Sequence, residues 1–139
     1  MPELKWNETD VIECLGVLPE TDEFFSSHSF LLNKDGLFIN ITIWQIERLV
    51  ALSIAKDTKA VPFLDLHFIV RDRIDFINEK DYSSLIFRDC IVVSNRFWMY
   101  YKSDKNDVFD KTAFTWIMDL ELTVHPEFQF KSFESERAD

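Results

Sequence analysis

A chain of 139 residues fits one domain, and 47% hydrophobic residues, among them 14 Phe and 4 Trp, supply a core that excludes disorder except at the ends. The formal charge is −10, from 25 acidic against 15 basic side chains, and that field repels nucleic-acid phosphates and anionic lipid. Nucleic-acid binding and membrane-surface attachment are therefore disfavoured as functions.

Residues 1–9 are polar apart from Leu4 and Trp6 and read as a loosely held arm. No basic segment followed by an apolar run opens the sequence, and no stretch reaches the ~18 apolar residues of a membrane span, so the expected compartment is the cytoplasm. The acidic excess is uneven. Residues 1–24 hold seven acids against the single base Lys5, so a charged partner would be basic and met near this end.

Residues 11–18 (VIECLGVL) are apolar and β-branched at several points, which predicts a short strand closed by Pro19, Glu20, Thr21 and Asp22. Residues 24–32 begin the next strand and end at Asn33-Lys34-Asp35-Gly36, a turn tetrad in which Asp and Gly tolerate positive φ. Beyond it Leu37, Ile39, Ile41 and Ile43 alternate with Phe38, Asn40, Thr42 and Trp44. A β-hairpin over 28–44 follows.

Residues 45–56 contain good helix formers, but Val50, Leu52 and Ile54 alternate with Ala51, Ser53 and Ala55, and no N-cap residue precedes them. Strand is the reading, with helix the alternative. Residues 61–70 place Leu64, Leu66, Phe68 and Val70 on one face and Phe63, Asp65, His67 and Ile69 on the other. A charged break at 71–73 and a polar loop over 78–83 lead to a strand at 85–93, whose odd face (Leu85, Phe87, Ile91, Val93) is interrupted by Asp89.

Residues 96–101 (RFWMYY) are large and apolar on both faces. A solvated loop separates them from the most regular stretch of the chain, 113–124 (AFTWIMDLELTV). There Phe114, Trp116, Met118, Leu120, Leu122 and Val124 define a dry face. Asp119, Glu121 and Thr123 define a face expected to be wet. Phe128, Phe130 and Phe133 continue the dry register before a polar tail near 132–139.

Many short strands with hairpin-length connections, and no long amphipathic helix, give an all-β fold over 1–139. It is either an antiparallel sandwich or a strongly curled, barrel-like sheet of about 8–10 strands.

The chemistry is sparse. Two glycines in all leave no phosphate-cradling loop, and Ser26-Ser27 lacks a nucleophile elbow. Cys14 and Cys90 match no ligand spacing and read as reduced core residues. The best polar pair is Asp65 and His67, on one strand face two residues apart, where a carboxylate could orient an imidazole or share a metal. Asp119 and Glu121 could in principle divide acid and base roles, although solvated surface carboxylates are the commoner outcome.

For binding, Arg96, Phe97, Trp98, Tyr100 and Tyr101 stand out, because Arg, Trp and Tyr dominate interface hot spots. The expected function is a non-catalytic protein-interaction module without a cofactor. An inhibitor or immunity-type protein that neutralises a basic partner is its concrete version. Homodimerisation through the same apolar surface competes with it. A small-molecule binder with an aromatic-lined cavity is one alternative, and a metal-dependent enzyme using Asp65, His67 and a further histidine is the other.

Overall fold

The structure, a computed structural model, describes residues 2–57, 61–93 and 117–135. Among these residues one helix and nine strands follow in chain order: α1 (Glu8–Leu15), β1 (Glu20–Thr21), β2 (His28–Lys34), β3 (Leu37–Trp44), β4 (Leu49–Ala55), β5 (Leu64–Val70), β6 (Ile74–Glu79), β7 (Tyr82–Val93), β8 (Ile117–His125) and β9 (Gln129–Glu134). All nine strands join one antiparallel sheet in the order β1-β2-β3-β4-β5-β7-β8-β9, with β6 beside the first half of β7. The all-β antiparallel expectation holds. Of its two forms, the curled single sheet is the one made, because no second sheet exists among these strands.

Curling is visible in what meets inside. Ile41 of β3 and Leu122 of β8, four strands apart in the sheet order, line one interior space with Val50, Leu52, Phe68 and Phe87. In a flat sheet the same residues would stand roughly 19 Å apart, at about 4.8 Å per strand. The space they enclose holds no volume that a water could occupy. Phe68 and Phe87 meet there edge to face at 5.2 Å between ring centres, and Phe30 is buried in the same core. An aromatic-lined ligand cavity at this position is therefore ruled out.

The hairpin over 28–44 forms as its sequence dictates, with Asp35 (φ 54°) and Gly36 (φ 77°) in the turn and Phe30 opposite Ile41. Strand also wins at β4, whose Val50, Leu52 and Ile54 enter the core beside Ile39, Ile41 and Ile43.

Residues 11–18 are not a strand. Asn7 caps a helix by accepting the Asp10 N–H at 3.1 Å, and Gly16 ends it at φ 74°, donating to the Ile12 carbonyl at 2.8 Å. Val11, Cys14 and Leu15, at helical spacing, pack into the same core as the sheet. Ahead of the helix, Leu4 is buried and Lys5 bridges to Arg73 in parallel.

Two devices shape the sheet. The first is a bulge in β7 at Asp89 (φ 62°), where the register against β8 shifts between Phe87 and Cys90. One extra residue turns every later side chain over. Leu85 and Phe87 thus face the core with Cys90, while Ile91 and Val93 pass to the outer face and join Leu49 and Ile69 in a second cluster. The single odd face read from 85–93 is split between two sides. The second device is Arg48 (φ 62°), buried, whose guanidinium donates to the carbonyls of Val70 (3.0 Å), Asp72 (3.1 Å), Pro2 (3.2 Å) and Arg71. It ties the start of β4 to the β5–β6 corner and the N-terminal arm.

Candidate functional site

Burial of the expected wet face of β8 is the main departure from the sequence pattern. Met118, Leu120, Leu122 and Val124 belong to the core, as alternation requires. Yet Asp119, Glu121 and Thr123 are only 3%, 6% and 1% exposed. Their strand has a neighbour on each side, and outward side chains of β7 lie over them. Tyr82 donates its hydroxyl to Glu121 Oε2 at 2.6 Å and Ser84 Oγ donates to the same oxygen at 2.8 Å. Arg88 Nη1 reaches Asp119 Oδ2 at 3.0 Å, and the Asp89 backbone N–H donates to Asp119 Oδ1 at 2.8 Å.

The network continues outward. Arg88 Nε donates to Asp75 at 3.0 Å, and Asp75 also accepts from Arg73 at 2.8 Å. Burial alone would push the Asp75 carboxyl up, but bonds from Arg88 and Arg73 outweigh it and hold the group below its ordinary range. Each carboxylate has its donors within the fold. That is the chemistry of a structural brace around the bulge, not of an acid–base pair awaiting substrate.

Asp65 and His67 do share the outer face of β5, opposite Ser53 and Ala51. Asp65 is exposed and His67 half-buried. The other two histidines are elsewhere: His28 is buried with Nδ1 2.7 Å from Glu8 and its ring against Trp6, and His125 lies beside Pro126 in an open groove with Glu79, Asp81 and Tyr82. β2, β5 and β8 are not neighbours in the sheet. Among the described residues no three His, Cys, Asp or Glu side chains gather as a metal would need. Burial pushes the Cys14 thiol up to about 12 and raises that of Cys90 as well, so neither is an activated nucleophile.

Arg96, Phe97, Trp98, Tyr100 and Tyr101 lie outside the described residues. The described surface offers a different aromatic site. Residues 24–27 precede the next strand, which begins only at His28, and Phe24 and Phe25 stand 78% and 67% exposed. Asp22 organises this loop: its carboxylate accepts the Ser26 N–H at 2.6 Å, the Ser27 N–H at 3.1 Å and the Ser26 hydroxyl. Those bonds, the Ser26 hydroxyl foremost, hold its carboxyl below the usual range. Phe25 donates its N–H to the Asp22 carbonyl at 3.1 Å, and its carbonyl accepts from Gln45 Nε2 at 2.6 Å.

The segment that carries the loop is acidic. No Lys or Arg occurs between Lys5 and Lys34, whereas six acids do, Glu20 and Glu23 among them exposed. The signal was in the sequence. Asp22 stands four and five residues before Ser26 and Ser27, a spacing that lets an aspartate close a loop, and two consecutive Phe cannot both face one side of a strand.

The fold thus defines a class, a curled antiparallel sheet with an N-terminal helix packed into its core against β6 and β7. No protein-family model and no curated protein matches the sequence. Among solved structures the chain is similar to one in the contact-dependent growth inhibition toxin–immunity protein complex from Klebsiella pneumoniae 342. The TM-score is 0.62 at 12% identity, over 95% of this chain and 97% of that one. The likeness is one of fold along both chains.

Proposed function

We propose that the chain is an inhibitor or immunity-type protein that acts by binding another protein and performs no chemistry of its own. The observation that carries this reading is the end-to-end fold likeness to a chain of a toxin–immunity complex. The braced carboxylates agree with it, since groups already satisfied within the fold serve stability rather than turnover. A basic partner belongs to the same proposal, because a charge of −10 accelerates encounter with an oppositely charged protein. So does a cytoplasmic site of action, supported by the free thiols of Cys14 and Cys90. Self-association is the weaker reading: two copies each carrying −10 repel.

The test is co-expression with the product of the neighbouring gene as the candidate target. Growth is measured with and without this chain, and complex formation is followed by size exclusion and calorimetry at low and high salt. Rescue of growth with a stable complex that weakens as salt rises is the expected result. No rescue and no complex would end the proposal.

A further inference from the structure

The loop that presents Phe24 and Phe25 has the features of an interaction anchor, and we infer that it is the part of this protein that enters its partner. The occupant it fits is a basic protein with an apolar pocket rimmed by Lys or Arg. This inference rests on the inhibitor reading and deepens it, from the existence of a protein partner to the surface that meets it.

Three observations carry it. First, the rings are held outward: Phe24 and Phe25 are 78% and 67% exposed, although this fold buries Phe30, Phe68 and Phe87 completely or nearly so. Isolated exposed apolar residues are ordinary, but two consecutive exposed aromatics put their apolar area at one point of the surface. Second, the loop is already ordered. The Asp22 carboxylate takes the Ser26 and Ser27 N–H groups, and Gln45 holds the Phe25 carbonyl, so little loop entropy is left to lose on binding. Large aromatics on a fixed support are what hot spots consist of. Third, the segment that carries the rings is acidic. Glu23 precedes Phe24 in the chain, Glu20 is exposed on β1, and no Lys or Arg lies between Lys5 and Lys34. A second copy of this chain would bring the same acidic segment and a further charge of −10 against it, whereas a basic surface complements it.

The experiment measures affinity for the neighbouring gene product by calorimetry, and association rate by stopped flow. It compares wild type, Phe24→Ala/Phe25→Ala, Glu20→Lys/Glu23→Lys and a control, Leu31→Ala, at another exposed apolar position. The expected result is a loss of about 30-fold or more for the double Phe variant. The Glu variant should associate more slowly at low salt, with the gap closing at high salt, and Leu31→Ala should match wild type. All five side chains altered are exposed, and equal urea midpoints establish that the variants fold. Wild-type binding with unchanged affinity in the Phe variant would overturn the inference and leave the inhibitor reading standing. Absence of wild-type binding would overturn both. A wild-type dimer that becomes monomeric in Phe24→Ala/Phe25→Ala, by light scattering, would assign the surface to a second copy and overturn the inference as well.

Discussion

The carboxylate of Asp119 on β8 accepts the backbone N–H of Asp89 on β7 at 2.8 Å, and that bond pins the extra residue of the bulge. Because the bulge decides which side Ile91 and Val93 take, one buried acid on β8 governs the side-chain pattern of the strand beside it. The same carboxylate holds Arg88 at 3.0 Å.

Asp119→Ala therefore removes two bonds and leaves the half-buried Arg88 short of one carboxylate. A stability loss of about 3 kcal/mol is expected, read from the shift in urea midpoint at unchanged slope. A loss below about 1 kcal/mol would show that the bulge is held by the strands alone.

Asp75 gives the pH dependence its sign. Its folded pKa is lowered relative to the unfolded chain, so its contribution is present at neutral pH and is lost as pH falls through the carboxylate range. Urea midpoints measured between neutral pH and acid should fall more steeply for wild type than for Asp75→Asn. Parallel curves would show that the Arg73 and Arg88 bonds do not favour the charged form.

Arg48 is expected to matter more for the fold than any surface arginine. Arg48→Met keeps the apolar stem and removes the donors to the Val70, Asp72 and Pro2 carbonyls, and a loss of about 3 kcal/mol should follow. Hydrogen exchange should speed up at Val70, whose N–H donates to the Arg48 carbonyl, before the rest of the sheet is affected.

The two kinds of phenylalanine should separate cleanly. Phe68→Ala opens a filled core and is expected to cost about 3–5 kcal/mol. Phe24→Ala, already in water, should change stability by about 0.5 kcal/mol or less in thermal melts.

Neither thiol should react in the native state. Cys14 and Cys90 are buried with raised pKa values, so alkylation at pH 8 should be slow in buffer and rapid in urea, with mass spectrometry counting the adducts. Fast labelling of Cys14 in buffer would mean that α1 detaches from the sheet.

Period-two alternation at 37–44, 49–55 and 64–70 was enough to read the all-β class, the 28–44 hairpin and the inner face of the core, because burying one face of a strand forces that pattern locally. The helix at Glu8–Leu15 was also written there, in Asn7, the spacing of Val11, Cys14 and Leu15, and Gly16, but its β-branched residues matched a strand equally well. Only the tertiary structure decided the rest. Alternation says that Asp119 and Glu121 point away from Leu120, not whether water or Tyr82 and Arg88 will meet them there. A bulge at Asp89 is one residue of register, invisible until β8 is laid alongside. The exposure of Phe24 and Phe25 likewise depends on bonds from Asp22 and Gln45 that bring the loop together. Hydrophobicity fixes which residues seek burial; the pairing of distant strands fixes which of them obtain it.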